Sequence, residues 1–557
     1  MAKRLAARLN ERLLVKNYDR DGNPRPVEYL DNDHLRPIPV QDRRWTQLTY
    51  TFFWFSATAN VSNLYGASTG MTMGLAMWEA VACSFGGQIM AGLLMALNGR
   101  GGAMYRIPFP VLCRASFGPW GALWPTFNRA VMSIVWNGVN TVQGAQCLYV
   151  VLYAIFPSFA NIPDKMGPKS ALNSGGMICF FVYWVINCAF LLIPVPKMRV
   201  LVYIKVAVYY VAAFAMLGWT VSLAGGSVKT PRTSTPINGP EKSWVIVKFL
   251  FLGLASCGTF ISNAADLQRY ARKPNDVILG QVISFPLSNL LVAILGNVIA
   301  SASQRVFGEL IWNPLTFLER LMEGDRYTSA NRAGCAFIGL GFVYASVFSA
   351  IFENSISAGN DIAALCPRYI TIKRGFFICA AFTYAICPWY LLATASVFIN
   401  FLSSYQIFLS AIAGILICDY YLLRRGHLHV PSLYSSSKES LYHFLHGWNL
   451  RAFVAYLISI APSFYGFLNQ LGVKAPLSIQ RFYYVAYPTS LLIAFGVYCG
   501  SSLVFPVKGM TTERGWKEPE DYVGERDEGQ ITIEGVAVDV HDPGMKKGGE
   551  NVISKAV

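Results

Sequence analysis

At 557 residues, 54% of them hydrophobic and only 14% charged, with a mean hydropathy of +0.38, the chain falls outside the soluble globular class, whose domains carry about 25% charged residues. The formal charge of +15 needs no nucleic-acid partner, because most of the basic residues lie in the tails and in connections between apolar windows, where membrane topology accounts for them. The 12 cysteines fall almost entirely inside apolar windows (Cys83, Cys147, Cys179, Cys188, Cys257, Cys379), as small buried residues do, which excludes a secreted disulfide framework.

Residues 1–45 form a basic tail containing Pro24, Pro26, Pro37 and Pro39, read as a mobile cytoplasmic segment. It holds no short apolar stretch with a small-residue cleavage site, so no removable signal peptide is expected. Windows of about 20 mostly apolar residues, enough to cross a ~30 Å hydrocarbon core, then recur twelve times. Five lie in residues 46–225 (48–75, 77–97, 120–155, 174–194, 200–224), and five in residues 226–425 (244–268, 276–302, 330–364, 374–392, 394–420). Residues 426–506 hold a cytoplasmic loop, with a short surface helix expected around Ser440–Leu445, and two last windows at 450–470 and 483–505. Residues 507–557 are a polar tail, again read as cytoplasmic and mobile. Positions 83–97 and 200–216 lack strand alternation, so the windows are helices rather than barrel strands. The fold class is therefore an all-α integral membrane protein with twelve transmembrane helices.

Orientation follows from Lys and Arg. With both termini cytoplasmic, the inner connections carry Arg100, Arg106 and Arg114, then Lys197 and Arg199, Arg269, Arg272 and Lys273, Arg368, Lys373 and Arg374, and Arg424 and Arg425. The outer loops at 225–243 and 304–329 carry three basic residues each. That asymmetry satisfies the positive-inside rule.

Polar interruptions mark the functional region. The first window places Asn60, Asn63 and Gly66 near its middle, and the sixth repeats the device with Gly258, Ser262, Asn263 and Asp266. Unwound helix centres survive at membrane depth only where their backbone faces a cavity, and there they bind solutes or ions. Breaks at positions one and six suggest two inverted five-helix repeats with two helices appended. In the third window Trp136 and Asn140, four apart, share one helix face. A flat heterocycle can stack on the indole while the amide, at once donor and acceptor, reads its edge. Gln143 either reaches the same cavity or ties a neighbouring helix. The eighth window runs from apolar sequence straight into Glu353, Asn354 and Ser355, then Asn360 and Asp361. Each such group costs several kcal/mol in lipid (roughly 2.5–3.5 for a charge at the helix centre) unless it is paired or wet.

At this point the chain resembles the nucleobase–cation symporter-1 family, and within it the fungal uracil/allantoin permease-like branch, over roughly residues 35–525. The residues that carry the likeness are Arg43, Arg44 and Trp45; Trp54 and Asn60; the stretch 98–110 and Arg114; the Trp136 segment; Asn263, Asp266, Arg269 and Arg272; and Asn354 to Asp361 followed by Pro367, Lys373 and Arg374. The resemblance implies a LeuT-like five-plus-five inverted repeat, alternating access, and a plasma-membrane symporter. It implies import of a nucleobase-like nitrogen heterocycle such as uracil or allantoin. The family's stacking tryptophan matches Trp136, its pocket asparagine matches Asn354, its inner aspartate matches Asp361, and its sixth-helix Asp/Arg signature matches Asp266 and Arg269.

The chain departs from the family pattern at Tyr65 and Asn140, where Gln is common, at Cys257, where Trp is common, and at Glu353, where a small residue is usual. A shorter amide and a missing indole widen the cavity, which keeps uridine, thiamine or nicotinamide riboside open as larger solutes. A non-transporting receptor with the same fold is the other reading. The expected solute site comprises Trp136, Asn140, Asn354, Tyr65, Asn63, Asn263 and Cys257. For gating, Asp361 is expected to pair with Arg272 or Lys273, near Asp266. Glu353 is expected either to carry the coupled proton or to serve as a structural carboxyl, with Ser346 and Ser349 as the alternative, a sodium site. The residues leave H+ and Na+ open, and the resemblance favours H+. Lys205 and Lys248 are read as snorkelling near helix ends, and Glu79 and Arg129 as interfacial or bonded between helices. No P-loop, metal-ligand spacing or nucleophile elbow appears, so an ATP-driven pump, an enzyme, a cofactor and a metal site are not expected. The partners expected are a small heterocycle, a co-transported cation and the lipid bilayer, with a homo-oligomer left open.

Overall fold

The computed structural model describes residues 35–193, 198–226 and 237–515, with short pieces of both tails. Most of the two tails, Lys197, Lys229, Arg232 and the Arg199 side chain lie outside the described residues. The described strands are two two-stranded ribbons in the tails, Asn17–Tyr18 with Pro24–Arg25 and Gln530–Ile533 with Val536–Asp539. Among the described residues, everything between is helical or connecting chain.

Helical segments fall in all twelve windows. Eight of the described helices are long and apolar enough to cross a membrane, by length and composition. The other four windows miss that mark for physical reasons that point to function. The first span is split into Gln47–Thr58 and Val61–Thr72, each of 12 residues. The third, Leu123–Ile155, has 33 residues but carries polar groups along one face. The fourth, Ser174–Phe190, and the ninth, Ile372–Ala385, are 17 and 14 residues long.

Small residues let these helices approach closely, as lipid-embedded packing requires. A Cβ on Gly296 of the seventh span would run into the Leu64 backbone of the first. One on Gly339 of the eighth would meet Val151 of the third at 2.8 Å, and one on Gly341 would meet Ala212 of the fifth at 2.8 Å. Gly296→Ala is therefore expected to cost about 1–3 kcal/mol by overpacking. Its readout is a lower level of folded protein in a detergent-stability assay; an unchanged melting temperature would contradict the close contact.

The eleventh and twelfth spans, Leu450–Gln470 and Ala486–Val504, are welded to the body at one end. Arg424 bonds Asp419 at 2.8 Å and the Ala115 carbonyl at 3.0 Å, while Tyr498 donates to Asp419 at 2.9 Å. The surface helix expected at Ser440–Leu445 is absent; those residues make turns, and the short helix of this connection is Val430–Leu433. Pro431 at its first turn favours helix initiation there.

Candidate functional site

The break in the first span is a complete hydrogen-bond solution rather than a defect. The helix stops at Thr58, Asn60 is extended, and Val61 restarts it. Asn60 accepts from the Asn63 backbone N–H at 2.9 Å as an N-cap and donates to the Ala57 carbonyl at 2.9 Å. The Asn63 amide donates to the Thr58 carbonyl at 3.0 Å, and the Tyr209 hydroxyl to the Asn60 carbonyl at 3.0 Å. The Ser56 carbonyl accepts from the ammonium of Lys205 at 2.8 Å. The carbonyls of Ser56, Ala57, Thr58 and Asn60 thus each accept a hydrogen bond from a side chain.

The sixth span breaks between Pro240–Ala255 and Gly258–Gln268. The Cys257 thiol at that break donates to Gln88 Oε1 of the second span at 2.9 Å. The eighth span changes hydrogen-bond pattern instead of breaking: Ala350–Ser355 is a π-helical turn between Ser329–Ser349 and Ile356–Leu365. Such turns carry an extra residue and recur at functional sites. Here the turn puts both Glu353 and Asn354 on the wall of one cavity.

That cavity lies between the two broken helices and the third and eighth spans. Trp136, Asn140, Asn354, Asn63, Asn263 and Cys257 all line it, as does Glu353. Asn354 Nδ2 is buried there with no protein partner. Asn140 Oδ1 is 3.1 Å from the Ser62 hydroxyl, which also reaches Gln143 Oε1 at 2.6 Å. Gln143 is itself buried and bonds the Tyr65 hydroxyl, so it ties helices together. Tyr65 corrects the expectation made for it. It is fully buried, edge-on to Trp312 and Phe398, and stands behind the cavity wall.

Two ion-pair groups flank the cavity. In the first, Lys205 Nζ stands 3.2 Å from Glu353 Oε1, while Asn60 donates to Glu353 Oε2 at 3.2 Å. Lys205 is 2% exposed, so it does not snorkel; its stem and its charge both point inward. In the second, Arg129 bonds Asp361 through Nε at 2.7 Å and through a second guanidinium nitrogen, and also bonds Asp266. The Phe109 N–H donates to Asp266 at 3.0 Å, and the Arg129 guanidinium lies 4.4 Å from the Phe109 ring centre. Asp361 is fully buried, so its partner is Arg129 and not Arg272 or Lys273. Those two border a surface groove with Thr46, Gln47 and Thr51. The expected pairing fails because the charge nearest in sequence to the inner connection is not the one nearest across the bundle. Glu79 pairs with Lys242 at 2.6 Å, bridging the starts of the second and sixth spans.

Gln88, Asn289, Ser133, Thr259, Arg129 and Lys205 were not singled out as site residues, yet all but Lys205 line the cavity and Lys205 bonds Glu353 on its wall. The signal was available: Gln88, Asn289 and Lys205 each interrupt a membrane-length apolar window, as Asn60 does.

Residues 37–489 match the family described as permease for cytosine/purines, uracil, thiamine, allantoin. The uridine permease of Saccharomyces cerevisiae is 35% identical over 500 residues, 88% of this chain and 78% of its own. The allantoin permease of the same organism is 35% identical over 509 residues, 89% and 80% of the two chains. Among solved structures, Mhp1, a nucleobase-cation-symport-1 family transporter in a closed conformation with bromovinylhydantoin bound, superposes with a TM-score of 0.67. That match has 19% identity and covers 88% of this chain and all of Mhp1, so it speaks for the fold. A multi-pass helical fold of Mhp1 type, two broken helices around a polar cavity and a family match over most of the sequence place this chain in the nucleobase–cation symporter-1 family of permeases.

Proposed function

We propose that this permease imports a uracil- or allantoin-like heterocycle across the plasma membrane, with both termini cytoplasmic, in symport with a proton. The observation that carries the reading is the convergence of Trp136, Asn140 and Asn354 on one cavity between two broken helices. A planar ring stacks on the indole. With Asn140 Oδ1 held by Ser62, its N–H group faces a ring carbonyl, and the unpartnered Asn354 amide supplies the second edge contact.

Cation coupling is supported by charge. Glu353 is matched by Lys205, while Asp266 and Asp361 share Arg129, so buried carboxylates stand around the site where a cation can be taken up. Lys205 holds its ammonium between the freed Ser56 carbonyl and Glu353, which puts an internal cation beside the broken helix. Glu353, on the cavity wall, is the group we assign to the proton. Alternating access then requires the Arg129 cluster to part, since it joins the third, sixth and eighth spans and the Phe109 segment below the cavity.

Radiolabelled uptake of uracil and allantoin in cells lacking their own carriers tests the reading. Stacking of a base on an aromatic ring is worth about 1–3 kcal/mol, so Trp136→Ala is expected to weaken uptake affinity by about 5- to 150-fold. Uptake absent for every heterocycle, at normal surface abundance, would favour a receptor over a carrier.

A further inference from the structure

The seam between the first span and the start of the seventh, Asp276–Phe307, is fastened at two levels. At its polar end the main chain of Trp45 pairs with the connection that precedes the seventh span. The Trp45 N–H donates to the Tyr270 carbonyl at 3.0 Å, and the Arg272 N–H to the Trp45 carbonyl at 2.8 Å. Deeper along the seam the Thr51 and Ser284 hydroxyls stand 2.9 Å apart, and a Cβ on Gly280 would run into Tyr50. Beside these fastenings the surface opens into the groove that Arg272 and Lys273 border. It shares no lining residue with the Trp136 cavity, so the solute path does not account for it.

The groove changes character along its length. At the polar end the Arg272 and Lys273 side chains are both exposed, and neither is ion-paired among the described residues. The carboxylate that lines the groove, Asp276, is turned onto the Lys273 backbone N–H at 3.0 Å. At the other end the lining is Leu48 and Leu279. Each begins an exposed apolar ridge, Leu48 to Phe52 on the first span and Leu279 to Ile283 on the seventh. A spacing of four residues carries each ridge about 6 Å deeper along its helix. A soluble anion would use the basic end and leave both ridges bare. A molecule with an anionic head and apolar tails matches both ends, and the cytoplasmic leaflet supplies anionic lipids that basic residues at its surface attract.

We infer that this groove seats an anionic phospholipid of the cytoplasmic leaflet, its phosphate against Arg272 and Lys273 and its acyl chains along the Leu48 and Leu279 ridges. The seated lipid spans the seam and so holds the inner half of the broken first span against the start of the seventh. The inference rests on the orientation proposed above, with both termini cytoplasmic, and not on the identity of the solute.

The test uses the full chain purified in a neutral detergent, with phosphatidylserine and phosphatidylcholine of matched acyl chains as probes. Labelled phosphatidylserine is expected to bind saturably, and phosphatidylserine but not phosphatidylcholine to raise the melting temperature. Arg272→Gln combined with Lys273→Gln changes exposed side chains outside the cavity, so it is expected to fold normally. It is expected to weaken phosphatidylserine binding by about tenfold or more. Lys438→Gln combined with Lys508→Gln removes the same charge from exposed positions away from the groove, and is expected to leave binding unchanged. Leu48→Ser shortens one ridge and is expected to weaken binding by about fivefold. Equal binding of phosphatidylcholine, or equal loss in the two double variants, would overturn the seat. Protection by glycerophosphoserine, the head without its tails, as strong as that by the lipid would also overturn it. Antibody reaching an N-terminal tag on intact cells would overturn the leaflet assignment together with the orientation; binding in micelles, which have no sidedness, tests the groove separately.

Discussion

Replacing Arg129 with alanine is expected to abolish concentrative uptake. The guanidinium is 1% exposed, and it is the group that bonds both Asp361 and Asp266. Its removal leaves two carboxylates facing each other in a dry interior. Breaking a buried ion pair by deleting one partner costs about 3–5 kcal/mol. The loss falls on the state in which the third, sixth and eighth spans are tied below the cavity. A shift of that size moves a two-state equilibrium by about 10²- to 10³-fold or more, enough to turn a rare open form into the dominant one. Two readouts follow: uptake near background at normal surface abundance, and faster labelling of a cysteine placed on the Phe109 side. Arg129→Lys is expected to be intermediate, because it keeps the charge but loses the planar fork that bonds Asp361 twice. Asp361→Asn is expected to change turnover more than apparent affinity, since Asp361 lies beneath the cavity rather than on its wall. Ordinary uptake kinetics in Arg129→Ala would rule out the cluster as a gate.

Glu353→Gln is expected to remove pH-driven accumulation while leaving solute binding measurable. The carboxyl lines the cavity and bonds both Asn60 at the first-span break and Lys205 of the fifth span. A group so placed borders the cavity, the broken helix and the fifth span at once. Glutamine keeps the size and one acceptor but takes up no proton, so labelled solute should equilibrate across the membrane instead of concentrating. The single variant also strands the buried Lys205 ammonium, a structural penalty of about 3–5 kcal/mol. The double variant Lys205→Met with Glu353→Gln separates the two effects. Neutralising both partners of a buried pair is far gentler than removing one, so surface abundance and equilibrium binding should recover while accumulation stays lost. Full pH-driven accumulation in the double variant would place the coupled proton elsewhere. Sodium-dependent uptake that persists in it would assign coupling to a metal cation instead.

Much of this protein is legible in one dimension because lipid imposes one-dimensional rules. Apolar windows of membrane length gave twelve helical segments, and the structure has helix in each. Asn60 and Cys257 mark real interruptions because a polar or irregular backbone at membrane depth must face something polar. Trp136, Asn140 and Asn354 reach one cavity because helical spacing and membrane depth together limit where they point. Partner choice was not legible in the same way. Asp361 turned out to face Arg129, 232 residues away in sequence, and Lys205 to face Glu353, 148 residues away. Tyr65 lies on the broken helix as expected but turns its ring toward Trp312 and Phe398. The π turn at Ala350–Ser355 leaves no mark in composition, yet it decides that Glu353 and Asn354 both line the cavity.

By itself the amino-acid order determined the class, the span positions, the two breaks and the family, because each follows from hydropathy, length or a local string of residues. Only the packed bundle decided which buried charges neutralise one another and which polar side chains share a chamber. Those outcomes depend on helix rotation and on contacts between residues far apart in the chain, where electrostatic and desolvation energies vary steeply with distance and local sequence says nothing.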